Sequence, residues 1–303
     1  PDSQYFNPSD EWLIGHMRIF QDLSQPEQDR VTREAERISE EAERANAKGK
    51  AANRSGPDMV FRLDSGGLAF YSQMGVARQP ARTQYYIDGF DQNRDAIAFS
   101  SANQALFAEV FDCIAKRLKD SFAAGDGVIQ TDRQIADAPG RSFHARQLLF
   151  GARSLQLPYM WRQLTFELPE SERQAEPDIL EVSIPNWLED VRISEDLRAR
   201  VEAAHLAQLI FKAPTKGLSL HLGFDYVGEH KMGPLSIAMF LVKEAEGLAV
   251  QAALSVARIR TLDGGIDNAA LITVGPSLHG KSTLTIMIEL AGSELSGLLG
   301  LSP

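Results

Sequence analysis

The sequence is poor in cysteine, in long apolar runs and in positive charge, and each shortage excludes a class of protein. Cys113 is the sole cysteine in 303 residues, so no intrachain disulfide can form and no cysteine-based zinc site is available. Set in Ala108-Glu-Val-Phe-Asp-Cys113-Ile-Ala, it reads as a small buried hydrophobe. No apolar run approaches the roughly 20 residues that a membrane-spanning helix needs. The start, Pro1-Asp-Ser-Gln-Tyr-Phe, has neither the basic nor the apolar region of a secretory signal, and a cytoplasmic location is the expectation. The 31 basic residues are outnumbered by 41 acidic ones, a formal net charge of −10. That repels phosphate backbones and anionic lipids, so neither nucleic acid nor a membrane surface is an expected partner.

What is present is the composition of a globular protein large enough for two domains, with 44% hydrophobic and 24% charged residues. Ser24-Gln-Pro26-Glu27 is a capping-box pattern. The run that follows, to about Ala47, is rich in helix-favouring Glu, Arg and Ala. Val31, Ala35, Ile38, Ala42 and Ala45 make a narrow apolar stripe, which predicts a solvated surface helix, with a partner-binding helix over 27–47 as the alternative. Gly49 to Gly56 reads as a linker. Strands are predicted at Met59–Leu63, Gly67–Ser72, Gln84–Asp88, the end of Gly125–Asp132, Trp161–Glu167, Asp178–Pro185, Leu218–Gly223, Ala253–Thr261 and Ala269–Val274. Helices are predicted at Asn103–Phe122, Ser142–Tyr159 and Arg198–Leu209. Interleaved strands and helices place the chain in the α/β or α+β class.

One motif carries chemistry. Gly275-Pro-Ser-Leu-His-Gly280-Lys281-Ser282-Thr283 fits G-x-x-x-x-G-K-[S/T], with the buried-strand pattern Leu271–Val274 before it and a predicted helix, Leu284–Leu290, after it. In such a loop backbone N–H groups and a helix N-terminus cradle phosphates, the lysine neutralises the β/γ oxygens and the hydroxyl ligates Mg²⁺. The expectation is ATP with Mg²⁺, held by Gly275, Ser277, His279, Gly280, Lys281, Ser282 and Thr283, with Ser282 on the metal. His279 either touches phosphate or is a tolerated polar loop residue.

Two further segments resemble a known family. Gly223-Phe-Asp-Tyr226-Val-Gly228-Glu229-His230-Lys231-Met232-Gly233 resembles the segment G-T-W-Y-G-G-E-M-K-K-G of ATP-dependent phosphoenolpyruvate carboxykinases. Ala77-Arg78-Gln-Pro80-Ala-Arg82-Thr-Gln-Tyr85 resembles their G-R-S-P-K-D-K-Y, and the phosphate loop resembles their G-L-S-G-T-G-K-T-T, in the same order and at similar spacing. The resemblance covers roughly residues 60–290. It implies an α/β architecture: an N-terminal arm and linker over 1–58, a carboxykinase-like mixed-sheet domain over 59–246, and the beginning of a P-loop domain over 247–303. It also implies decarboxylation of oxaloacetate and phosphoryl transfer from ATP, with Mg²⁺ and Mn²⁺. Arg78 matches the arginine that holds the substrate carboxylate, Tyr226 the tyrosine facing substrate, and Lys231 the first lysine of the K-K pair. Lys281 matches the phosphate contact.

The departures are specific. Met232 stands where the family has a metal-ligating lysine, and a thioether is a poor ligand for a hard Mn²⁺ ion. The family's metal-ligating histidine falls near Ala252. His230 could replace one of these ligands if the loop shifts by a residue or two. The family's acidic segment, adenine pocket and later catalytic arginine would follow residue 303. The expectations are therefore three: a divergent phosphoryl-transfer protein acting on a small anionic substrate, a non-catalytic nucleotide-binding scaffold, or a true carboxykinase. Asp225 and Glu229 are read as solvated loop charges beside Tyr226, with acid–base work as the alternative. His144 and His205 are read as packing or surface histidines within helices.

Overall fold

The computed structural model of the protein describes residues 4–47, 59–71 except 65, 83–90, 96–99, and 103–275 except 126, 139, 152, 174 and 251. The chain divides into two compact units, Pro1–Leu241 and Val242–Pro303. The expected linker at 49–56 and the expected helix at 284–290 lie outside the described residues.

Two short signals build the N-terminal part. Ser9 caps α1 (Asp10–His16) by accepting from the Trp12 N–H, with Asp10 and Glu11 against the positive end of the helix dipole. Helix α2 (Gln25–Ala47) opens on the capping box read from sequence. The Ser24 N–H and hydroxyl both donate to Glu27 Oε2, at 3.2 and 2.7 Å. The expectation of a solvated helix fails at its first two stripe positions, because Val31 and Ala35 are buried. The side chains of Ile38, Ala42 and Ala45 lie outside what is described. Strands β1 (Met59–Arg62) and β2 (Leu68–Tyr71) then form a separate antiparallel pair, Val60 opposite Phe70.

The rest of this unit is one eight-stranded mixed sheet with helices on both faces. In chain order come β3 (Thr83–Ile87), β4 (Ile97–Ala98), α3 (Gln104–Ala124), β5 (Val128–Ile135) and β6 (Phe143–Phe150). There follow α4 (Gln156–Leu164), β7 (Phe166–Glu167), β8 (Ile179–Ile184), α5 (Trp187–Asp190) and α6 (Glu195–Ala203). The last elements are β9 (Gln208–Ala213), β10 (Leu218–Leu222) and α7 (Val227–Glu244). The spatial order is β4-β3-β9-β10-β8-β6-β5-β7. Strands β6, β8 and β10 are mutually parallel, while β9 and β3 run the other way.

Alternation along each strand gives the sheet two unlike faces. On one face Leu148, Phe150, Val182, Ile184, Leu209, Phe211, Leu220 and Leu222 form a single apolar cluster. Phe107, Val110 and Ile114 of α3, Trp187 of α5, and Leu197 and Val201 of α6 complete it. At about 1.5–3 kcal/mol for each large side chain, this cluster is the main source of stability. The opposite face is apolar only at its ends. Ala145 and Ile179 meet Trp161 of α4 and Ile237 and Ala238 of α7. Ile129 and Leu149 meet Leu13 of α1 and Leu157 of α4. The middle of that face is polar, and α7 covers it.

Three sequence expectations are corrected here. The helix read over Ser142–Tyr159 is strand β6 followed by α4. Both faces of β6 are buried, so its polar residues His144 and Gln147 broke the alternation by which a strand is recognised. Pro158, read as a turn, occupies the first turn of α4, where its missing N–H has no intrahelical acceptor to lose. The strand read over Trp161–Glu167 is therefore the end of α4 plus the two residues of β7. The helix read over Arg198–Leu209 begins earlier, capped by Ser194, and ends at Ala203, with His205 at φ 57° turning the chain into β9. His144 is thus a buried strand residue and His205 an exposed turn residue, neither of them in a helix.

The second unit contains a hairpin of β11 (Ala252–Arg260) and β12 (Ile266–Val274), pairing Leu254 with Ile272 and Val256 with Ala270. The buried strand read over Leu271–Val274 is corrected: Leu271, Ile272 and Val274 are exposed, because a two-stranded ribbon leaves both faces of its apolar residues uncovered. Its turn places Gly264 at φ 89° and has Asp263 accept from the Gly265 N–H and the Thr261 hydroxyl. Among the described residues no helix is long and apolar enough to cross a membrane.

Candidate functional site

The sheet itself selects one edge. From the ends of β6 and β10 the chain passes to α4 and α7 on the polar face. From the end of β8 it passes to α5 and α6 on the apolar face. Neighbouring parallel strands whose connections leave to opposite faces open a crevice beyond their carboxyl ends, where ligands of open α/β sheets bind. A small open cleft lies there, lined by Asn186 after β8, Gly223 after β10, Ala207 before β9, and Arg198. Strands β3 and β9 run oppositely and so begin at this edge, where the Thr83 hydroxyl donates to Gln208 Oε1 at 3.4 Å. Arg78 lies outside the described residues; Thr83 is the first described residue after it.

Gly223 turns the chain out of β10 at φ 84°. Asp225, expected as a solvated charge, is buried, 3% exposed, and accepts from Gln156 Nε2 of α4 at 2.7 Å. Tyr226 is half-buried. A Cβ on Gly228 would stand 2.5 Å from the Tyr226 ring, so glycine is what lets that ring fold against the first turn of α7. Glu229 accepts from the Tyr85 hydroxyl at 3.0 Å. This bond spans 144 residues of sequence and brings together two of the three motif segments, the one ending at Tyr85 and the one containing Tyr226 and Glu229. Lys231 is exposed on the next turn of α7, and Met232 is half-buried beside it.

His230 faces the sheet. It is 2% exposed, its Nδ1–H donates to the Tyr226 carbonyl at 2.9 Å, and its ring stacks on His221 of β10 at 4.6 Å and 28°. Burial pulls its imidazole down to about 4, the Tyr226 hydrogen bond opposing. Among the described residues no group of three or more histidine, cysteine, aspartate or glutamate side chains could hold a metal ion. Ala252, where the resembled family has a metal-ligating histidine, opens β11 and is exposed.

That depressed histidine has a measurable consequence. A group protonated at 6.5 when unfolded and at about 4 when folded withdraws stability as pH falls between those values. His230→Phe keeps the aromatic stack and removes the titration. Its urea-derived stability relative to wild type is expected to rise by about 3 kcal/mol between pH 6.5 and 4, from 1.36 kcal/mol per unit. A difference that stays constant across this range would mean that the ring is not buried as described.

Beneath α7 lies a row of polar side chains, fully buried except for the half-buried Lys212 at its end, that single-residue reading did not find. In register across the sheet stand Lys212, Ser219, Glu181 and Gln147. Glu181 is fully buried and accepts from Gln147 Nε2 at 2.9 Å and the Ser183 hydroxyl at 3.1 Å, both at Oε1. Burial pushes its carboxyl up to about 8, against these two bonds and Lys212. The only hint in sequence is polar residues at every second position of Ile179-Leu-Glu-Val-Ser-Ile and Leu218-Ser-Leu-His-Leu. A strand facing water on one side shows the same pattern.

Of the nucleotide-contact residues, Gly275 follows directly on β12 and is half-buried. Ser277, His279, Gly280, Lys281, Ser282 and Thr283 lie outside the described residues. No family model and no curated protein matches this chain.

Proposed function

We propose that the chain binds ATP–Mg²⁺ through Gly275–Thr283 and a small anionic substrate at the carboxyl edge of the sheet. On this reading it is a divergent relative of the ATP-dependent phosphoenolpyruvate carboxykinases that transfers phosphate from ATP to that substrate. The observation that carries the reading is the Tyr85–Glu229 hydrogen bond, which joins two segments chosen for their resemblance to substrate-binding motifs. It joins them at the edge where topology independently places a ligand crevice. The third segment rests on its motif alone: β12 does end at Val274, directly before the loop's first glycine, but as an exposed strand of an antiparallel hairpin and not as the buried strand expected there. In this reading Arg78 and Lys231 supply charge to the substrate, Tyr226 faces it, and Lys281 and Ser282 serve the phosphates and their metal. Met232 and Ala252 favour phosphoryl transfer over decarboxylation, because enolate charge developing in a decarboxylation calls for a second metal that neither residue can ligate.

Calorimetric titration with ATP–Mg²⁺, wild type beside Lys281→Ala, tests the first half. The variant is expected to bind about a hundredfold more weakly, the loss of one charge-assisted phosphate contact of about 3 kcal/mol. Wild-type protein that takes up no nucleotide would end the proposal. Turnover with oxaloacetate and Mn²⁺ that yields phosphoenolpyruvate would instead establish a carboxykinase. Nucleotide binding with no transfer to any anionic acceptor would leave a nucleotide-binding scaffold.

A further inference from the structure

Glu181 is a carboxyl group placed where a helix must be lifted before water can reach it. Gln147 of β6 and Ser183 of β8 bond to it, Ser219 and His221 of β10 and Lys212 of β9 share its face of the sheet, and His230 and Ser236 of α7 contact His221 and Lys212 in turn. Its Oε2 receives no hydrogen bond among the described residues, and His221 Nε2 stands 3.9 Å from it. Lys212 is the nearby cation, one strand beyond Ser219 in the same cross-sheet row. Yet its ammonium donates to the Ser236 hydroxyl of α7 at 2.9 Å, and Ser236 in turn donates to the Gly233 carbonyl at 2.7 Å. The helix is seated very closely: a Cβ on Gly233 would stand 2.4 Å from His221 Nε2 and 2.6 Å from Ser219 Oγ. No hydration shell for a buried charge fits beneath it.

We propose that Glu181 is a proton-operated latch for α7. While the carboxyl is neutral, it needs no counter-ion, and Lys212 is left to tie the sheet to Ser236. When the proton leaves to solvent, the carboxylate draws the Lys212 ammonium back across Ser219 and the tie to α7 is broken. Lifting the helix then hydrates the new charge. The result is a two-state element biased by one proton, with α7 seated on the acid side of neutrality and loosened on the alkaline side. Because Glu229 and the Tyr226 turn belong to the start of α7, loosening it would also disorganise the proposed substrate edge. That last consequence rests on the proposed function, whereas the latch does not.

Amide hydrogen exchange tests the latch without any ligand. Protection factors for α7 amides between Lys231 and Leu241, corrected for the intrinsic exchange rate, are compared from pH 6.5 to 8. One proton held by the seated helix and released on opening makes the opening constant rise nearly tenfold per pH unit, the slope halving near pH 8 where Glu181 itself ionises in the seated state, so about fifteenfold over this range. Glu181→Gln is expected to abolish that slope. Lys212→Met is expected to start from a higher opening constant, because the tie to Ser236 is gone, and to keep the slope, because Glu181 still gives up its proton on opening. The same slope in Glu181→Gln as in wild type would overturn the proposal. So would equal slopes in α3 and α7, because Glu181 would then act on global stability alone. Should Glu181→Gln fail to fold, the carbon-13 carboxyl resonance of Glu181 in wild type decides. It must report a neutral group at pH 7; an ionised one at that pH overturns the latch.

Discussion

Gly223→Ala is expected to cost more than about 4 kcal/mol and to prevent folding at ordinary temperature, because its Cβ would meet the closest backbone approach at any of the described glycines. Gly223 has φ 84°, a conformation that strains any L side chain by about 1–3 kcal/mol. Strain alone is survivable. At this position, however, the new Cβ would stand 1.9 Å from the Ala207 carbonyl oxygen and 3.0 Å from its carbon. Both are backbone atoms, and Ala207 leads directly into β9, which pairs with β10 through Leu209–Ala213. No rotamer change relieves that contact; the two strands must part at the edge where the crevice lies. Gly264→Ala separates the two contributions. Gly264 has a similar φ of 89° but open space where the Cβ would go, so it should lose only the strain. Urea unfolding of both variants provides the measurement. A Gly223→Ala protein within about 1 kcal/mol of Gly264→Ala would show that the approach of Ala207 to Gly223 is not as close as described.

The same position shows which parts of the fold the sequence makes legible. Gly223 opens a segment recognisable by its motif, but nothing in the motif marks it as the glycine that the backbone of Ala207 approaches. Strands with one apolar and one polar face, such as β10, are visible from alternation, and α3 is visible from its 3.6-residue stripe. Helix α2 announces its start through Ser24 and Glu27. What alternation cannot tell is whether the polar face of a strand meets water or a helix. Ser219 and His221 on β10, and Glu181 and Ser183 on β8, look like a solvated face and are instead fully buried. The partner that buries them, α7, is distant from β8 in sequence, so no local pattern encodes the contact. Strand β6 failed for the same reason, since polar residues on two buried faces leave no clean period. The candidate site divides likewise. Tyr226 and Glu229 were found by motif, but Gln156 beneath Asp225 belongs to a helix whose start was misread. The bond from Tyr85 to Glu229 is a fact of tertiary structure alone.

A second large loss is expected from Asp132→Ala, about 3 kcal/mol, because it breaks an ion pair whose carboxylate is fully buried and leaves its half-buried cation without that partner. The Asp132 side chain has no exposed surface, and Arg146 reaches it with two parallel bonds, Nε to Oδ1 at 2.8 Å and Nη2 to Oδ2 at 2.9 Å. Gln130 Nε2 donates to the same carboxylate at 3.2 Å, and His144 Nε2 stands 3.6 Å from Oδ2. Arg146 is 22% exposed, so water offsets only part of the lost partner. The group that gains least from water is His144, whose two ring nitrogens are buried without a hydrogen bond. Asp132→Asn, which keeps the volume and one acceptor, should lose less than the alanine variant. A double-mutant cycle with Arg146→Ala is the sharper measurement. If most of the loss is the stranded guanidinium, removing both side chains should cost about 2 kcal/mol less than the sum of the single losses. Additive losses would instead assign the effect to packing around β5. Raised salt should leave the coupling nearly unchanged, because ions cannot screen a carboxylate that solvent does not touch. The N-terminal segment provides an independent readout. Asn7 Oδ1 accepts from the Asp132 backbone N–H at 2.6 Å, and Asn7 N–H donates to the Gln130 carbonyl at 2.8 Å. Loss of the ion pair should therefore loosen β5 at the place where this segment is tied down, and limited proteolysis should cut near Asn7 in Asp132→Ala sooner than in Gly264→Ala. Cleavage at equal rates would confine the ion pair's influence to the β5–β6 pair itself.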